Sequence, residues 1–243
     1  MRMSRRETMQ FSATALAGLS LASLKAEQLA AQGAPQPDGL VETKLRQIST
    51  LPLNPDGSAV EYTPQEAGAI TGVLWRTKNK TPEGEYDVRK MKIKVDGRGT
   101  ATLSGTLTFD VLEKLPRHSY VVRLQCGAPN PRGTVKWTGV RFSDFAQAVG
   151  AQSFANYCRL VGSDAYFIDE DMTILMHPQV VLAWQLNDAP IPPQHGAPLR
   201  LQMPTKLGYK QAKYLDTIRV TNVLKPGKTG YWEDQGYSWF GGL

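Results

Sequence analysis

From Asp87 onward the chain breaks into short runs of alternating apolar and polar residues, several of them closed by Gly or Pro, and this punctuation limits what it can fold into. Asp87 to Val95, Thr100 to Leu107 and Tyr120 to Gln125 have the two-residue period of half-buried strands. Asp96-Gly97 is a hairpin signal between the first two. Phe109 to Leu115 and Phe142 to Val149 read as short helices, the second with Ser143 as its N-cap. Gln179 to Leu186 is an apolar segment, helix or strand, whereas Leu199 to Met203 and Leu215 to Leu224 alternate again. Strands and helices follow no regular βαβ spacing, which predicts an α+β fold of mixed strands and short helices in a single domain.

The N-terminus is different in kind. Ser4-Arg5-Arg6-Glu7-Thr8-Met9-Gln10 precedes a weakly apolar stretch, Phe11 to Leu24, too short and too rich in Ala, Ser and Gly for a transmembrane helix. The pattern is that of a twin-arginine export signal, which carries folded proteins and suits an enzyme whose cofactor is inserted before export. An uncleaved amphipathic anchor is the alternative. We divide the chain into a signal at 1–32, an extended polar lead-in at 33–70 rich in Pro and Gly, and one domain at 71–243, with a periplasmic destination. No later stretch is long and apolar enough to form a stable transmembrane segment.

Net charge is +6, but Arg2, Arg5 and Arg6 belong to the leader, so the remaining domain is only mildly basic. No block of Lys and Arg interleaved with aromatics appears, which argues against a nucleic-acid partner. The two cysteines, Cys126 and Cys158, allow a disulfide in an exported protein. Their surroundings argue otherwise. Cys158 sits in a strand-like run that would bury a small thiol, and Cys126 ends a strand and opens a Gly- and Pro-rich loop.

Three segments carry polar chemistry. Cys126, followed by Gly127-Ala128-Pro129-Asn130-Pro131-Arg132, offers a soft thiolate ligand at the mouth of a loop. Taken alone, it is equally a buried small hydrophobe. Leu186 to Arg200 is too rich in Pro and Gly for a helix and holds Asn187, His195 and Arg200 on one stiff loop, an imidazole and a guanidinium suited to phosphate or pterin. Pro204 to Tyr214 contains Gly208, where the backbone can turn tightly toward an anion, and Lys210 and Lys213 three apart. A solvated basic turn is the plainer reading of this last segment.

The order of these pieces resembles the sulfite oxidase superfamily, and the bacterial periplasmic methionine sulfoxide reductase catalytic subunits within it. The motifs are Cys126 with its loop, Trp137-Thr138-Gly139-Val140, His195-Gly196-Ala197-Pro198-Leu199-Arg200, Gly208-Tyr209-Lys210 with Lys213, and Gly230-Tyr231-Trp232-Glu233. They cover about Arg117 to Tyr237. The resemblance implies a sulfite oxidase-type molybdopterin-binding fold, a molybdenum ion with its pterin dithiolene, and oxygen-atom transfer on a small sulfur or nitrogen oxo compound. It implies that Cys126 ligates molybdenum and that Asn187, His195 and Arg200 contact the pterin and its phosphate. Gly208, Lys210, Gln211, Ala212 and Lys213 would hold the phosphate end, Gln211 and Ala212 through backbone N–H groups. Arg132 is a candidate partner for an oxyanionic substrate, and Asn79 a further cofactor contact.

The chain departs from the family's pattern after Cys126, where Glu-Gly-Trp or Glu-Ala-Trp is absent, and at Gly162, where relatives often carry Ser or Thr, so that one hydrogen bond is either missing or taken by Ser163. Without a Cys-x-x-Cys-His haem motif, electrons would pass to or from a separate cytochrome or membrane haem protein. Two other readings remain at this point. One is an exported pterin- or anion-binding module without redox turnover. The other is a zinc hydrolase using Cys126, His195 and His118 or His177.

Overall fold

A computed structural model describes residues 51–72, 81–225 and 227–242. The segment expected to be an export signal and the expected cofactor contact Asn79 lie outside the described residues. Two sheets dominate. The first runs β1 (Glu61–Tyr62), β4 (Arg117–Gln125), β5 (Arg132–Arg141), β8 (Val181–Leu186), β10 (Arg200–Gln202), with β9 (Ala189–Pro190) paired to β8. The second runs β3 (Gly105–Thr108), β2 (Lys92–Asp96), β11 (Leu215–Thr221), β6 (Tyr157–Gly162), β7 (Phe167–Asp171). Every pairing is antiparallel except β2 with β11. Three short helices, α1 (Phe109–Glu113), α2 (Phe142–Ala148) and α3 (Met172–Leu175), complete an α+β architecture.

Burial explains which residues became which strand. In β2, Lys92 and Lys94 are exposed while Ile93 and Val95 are buried, the alternation of a sheet with one face in water. Val181 to Trp184 in β8 are all buried because the first sheet is covered on both faces. One face meets the main core, where Leu182, Trp184 and Leu201 pack with Ile93, Cys158, Leu160 and Ile218 of the second sheet. The other meets a smaller core of Tyr120, Trp137, Val181 and Ala183. Segments expected as strands or as either type appear as β8, β10 and β11.

Three expectations need correction. The Asp96-Gly97 turn is not a tight hairpin: residues 97–104 intervene, because Thr102 and Leu103 donate their backbone N–H groups to Gly150 and Val149 instead. Ser143 does not cap α2. Phe142 is already helical, Arg141 occupies the cap, and Phe142 N–H is satisfied by Val180 O at 2.9 Å. The strand β5 was not recognised, although its Trp137-Thr138-Gly139-Val140 motif was. Within the 33–70 segment, Leu51 and Ala59 are buried, and β1 pairs with β4.

Gly139 shows how tightly β5 meets β8. The register shifts between Thr138 and Gly139, and a Cβ there would lie 2.0 Å from Leu182 O. We expect Gly139→Ala to lower the urea midpoint by an amount equivalent to about 2–3 kcal/mol of stability, measured by equilibrium unfolding.

Candidate active site

The site grows from the end of β4. Gln125 is buried, and its amide donates to the carbonyls of Cys126 and Ala128, each at 3.0 Å, so one side chain pins the following loop. Cys126 N–H closes the loop on Pro131 O at 3.0 Å. The short turn at Gly208–Lys210 is laid against it: a Cβ on Gly208 would sit 3.3 Å from Cys126 Cα, and one on Gly127 3.1 Å from the Tyr209 ring. Glycine at both places lets two backbones meet around one thiol.

Cys126 opens into a cavity of about 350 Å³. His195, Arg200 and Lys213 line the same cavity. Arg200 begins β10, lies 4.7 Å over the Trp137 ring and donates to His195 O at 2.8 Å. Lys213 Nζ donates to Gln194 O at 3.3 Å. Gly196 makes this packing possible: it has φ +106°, and a Cβ there would come within 2.8 Å of the Lys213 stem. Three loops are thereby tied together, since Tyr214 N–H also bonds Gly196 O, and Ser163 N–H bonds Tyr214 O.

The electrostatics of the cavity are those of a waiting anion site. Burial, then Arg200, pulls Lys213 down to about 7; Asp164 and Cys126 oppose the shift. Burial, then Arg200 and Lys213, brings His195 to about 4, and burial lowers Arg200 to about 10. The three basic groups act on one another, and Asp164 is the carboxylate among the described residues that line the cavity. Burial raises the Cys126 thiol, opposed by the N–H groups of Ala128 and Gly127 and by Lys213. A metal ion would displace that proton.

The structure sorts the expected residues. Cys126, His195, Arg200, Gly208, Gln211 and Lys213 line the cavity together. Lys210 does not. Its buried ammonium bonds Asp169 O at 2.9 Å and Glu233 Oε1 at 2.8 Å, with Glu170 Oε2 at 3.4 Å, so it locks the C-terminal segment instead. Asn187 also lies off the cavity: its amide donates to Gly68 O and its oxygen accepts from Lys136 N–H, bridging strand ends. Ala212 is buried, its carbonyl accepting from Leu201 N–H, and the Gln211 N–H is already given to Gly208 O. Arg132 is exposed at the start of β5 and is not among the lining residues.

Other groups complete the lining. Gly162 has no room for a side chain, because a Cβ would meet Lys213 O at 2.4 Å, and Ser163 is exposed. Asp164 and Tyr166 face the cavity in their place, Tyr166 fixed by a hydrogen bond to Tyr209 O. Tyr209, Trp232 and Tyr237 form an aromatic wall: Tyr237 meets Tyr209 edge-on at 5.3 Å and Trp232 at 5.1 Å. Cys126 and Cys158 are both free, the latter buried in the main core. Among the described residues no group of three His, Cys, Asp or Glu gathers as a metal site. The zinc reading loses its third ligand, since His118 stacks on Tyr120 and His177 accepts from Gln179 N–H.

Residues 79–232 match the family model described as oxidoreductase molybdopterin binding domain. The chain belongs to that family. The molybdopterin domain is 40% identical over 158 residues to YedZ1 of Azospira oryzae, named as a candidate protein-methionine-sulfoxide reductase subunit, covering 65% of this chain and 58% of the relative. The chain is 28% identical over 233 residues to mitochondrial sulfite oxidase of Rattus norvegicus, covering 84% of this chain and 41% of that one. The chain therefore spans about three fifths of the first relative and two fifths of the second. In fold, the molybdopterin domain is similar to sulfane dehydrogenase SoxCD from Paracoccus pantotrophus, with TM-score 0.54 and 15% identity, over 78% of this chain and 57% of that one. The cavity fits the cofactor: a thiol and three basic side chains line it together, which is what a metal dithiolene carrying a phosphate requires.

Proposed function

We propose that this protein is an exported molybdopterin enzyme that reduces a small sulfoxide, with Cys126 as the protein's ligand to molybdenum. The observation that carries this reading is the meeting of the Cys126 thiol with His195, Arg200 and Lys213 in one cavity. Lys213 and Arg200 would hold the cofactor phosphate, His195 the pterin, and Gln211 would orient Arg200, whose Nη2 lies 3.5 Å from its Oε1. Bound molybdopterin supplies a redox-active metal that exchanges an oxo group together with two electrons. The protein contributes orientation, charge balance and exclusion of water.

The choice of a neutral sulfoxide over sulfite rests on the rest of the lining. Beyond the three basic groups the cavity is walled by Ile70, Leu124, Tyr209, Trp232 and Tyr237. An aromatic and aliphatic wall suits a thioether-like substrate, whereas an anion such as sulfite would need cations of its own. The 40% identity to YedZ1 points the same way. Electrons would come from a separate haem protein, and the Arg5-Arg6 signal would direct the folded enzyme to the periplasm.

Cofactor-loaded protein assayed with a reduced viologen should turn over dimethyl sulfoxide or methionine sulfoxide at least tenfold faster, in kcat/KM, than it oxidises sulfite. Faster sulfite oxidation would reverse the direction. Stoichiometric molybdenum with no turnover of either kind would leave a pterin-binding module.

A further inference from the structure

The outer face of the second sheet carries a row of charges that the cavity does not use. Register sets Asp96 beside Arg219, Arg219 beside Arg159, and Arg159 beside Asp169, so four strands contribute one line of side chains. Two adjacent arginines repel, and each leans on the carboxylate at its outer side. Arg219 Nε donates to Asp96 Oδ2 at 2.9 Å, while Arg159 forms two bonds of 2.6 Å to Asp169. Arg98 Nε uses the same Asp96 oxygen at 3.0 Å. The Nη groups of Arg98 and Arg219 donate to no protein acceptor among the described residues.

Above this row lies a cleft of about 430 Å³ lined by Arg98, Arg159, Arg219 and Lys225 together with Asp169 and the neutral Thr221, Asn222 and Val223. Exposed Lys92 and Lys94 carry the positive field along β2 beyond the cleft. Asp96, Asp169 and Asp171 share the face, and Asp234 acts on Arg159. The cations still outnumber these carboxylates, over a width of several strands. That extent exceeds what a single small anion covers and matches the charged face of a protein.

The face is also wired to the cavity. The Phe167 ring lies 4.8 Å beneath the Arg159 guanidinium, and its carbonyl accepts from Tyr231 N–H at 2.9 Å. Tyr166, the preceding residue, lines the cavity and packs on the Tyr231 ring at 5.5 Å. Strand β7 thus gives a continuous bonded route from cavity wall to charged surface.

We propose that this face docks the acidic surface of a small haem-bearing electron carrier, an inference that rests on the sulfoxide-reductase reading. Each reduced carrier gives up one electron and leaves oxidised. Two dockings supply the two electrons that, with two protons, release the sulfoxide oxygen as water.

The test is binding of the acidic soluble haem domain of cytochrome b5 to the full chain, cofactor-loaded and cofactor-free, by titration calorimetry at low and high ionic strength. Affinity should fall with salt and be weakened about tenfold or more by the double variant Lys94→Glu/Lys225→Glu. Lys114→Glu, on the turn leading into β4 of the other sheet, should leave it unchanged, and basic cytochrome c should not bind. Equal affinity in the double variant, equal binding of cytochrome c, or displacement by inorganic phosphate where chloride of the same ionic strength has no effect would overturn the proposal. Binding is read on the cofactor-free chain as well, so missing molybdenum or turnover would defeat the functional reading and not this one.

Discussion

Replacing Cys126 with serine should lower kcat by on the order of 10³-fold, about 4 kcal/mol in the barrier, while the chain still folds and still takes up pterin. The reasoning is local. The loop that presents Cys126 is held by the Gln125 amide and by the Cys126–Pro131 backbone bond, neither of which involves the sulfur. The anion side of the cavity, built from other loops, is untouched. What is lost is the soft thiolate donor, which a hydroxyl replaces poorly. Steady-state kinetics alongside pterin content would show this. A serine variant that keeps near-normal kcat would mean that Cys126 is a packing residue.

The second large effect belongs to Lys213. Lys213→Met should weaken cofactor binding about a hundredfold, roughly 2.7 kcal/mol, the worth of one charge-assisted hydrogen bond in a partly dry site. Because burial and Arg200 hold Lys213 near 7 in the cofactor-free protein, its charge is absent above that pH. An anion binds the ammonium form, so thermal stabilisation of cofactor-free protein by sulfate, a dianion throughout, should be strongest below about pH 7 and fade as pH rises. The linkage to folding has the opposite sign. Between about 7 and the ordinary lysine value of 10.5 the unfolded chain holds a proton that the folded chain does not, so stability without sulfate rises with pH across that window. Melting temperatures measured against pH, with and without sulfate, should show both trends in the parent and neither in Lys213→Met.

Much of the site was legible because its residues come in compact motifs. His195 and Arg200 share a loop whose Pro and Gly content excludes a helix, and Cys126 stands where a strand gives way to such a loop. Lys210, expected at the phosphate end, lies off the cavity for a physical reason. Spacing places it three residues from Lys213 but does not say which side of the turn faces the cavity, and Glu170 and Glu233 hold it on the far side. Asn187 was likewise read as a ligand contact, whereas its left-handed backbone and two amide bonds serve a turn. Asp164 and Tyr166 had no local signal, because they reach the cavity only through the pairing of β6 with β11. Strand β5 hid because Gly133 and Gly139 interrupt its pattern and much of it is covered on both faces.

The most direct test of the account is molybdenum X-ray absorption on the cofactor-loaded protein beside Cys126→Ser. The account predicts about one molybdenum per chain in both, with one sulfur scatterer fewer in the variant. An unchanged sulfur shell, or parent protein without molybdenum from a host that makes the cofactor, would contradict it.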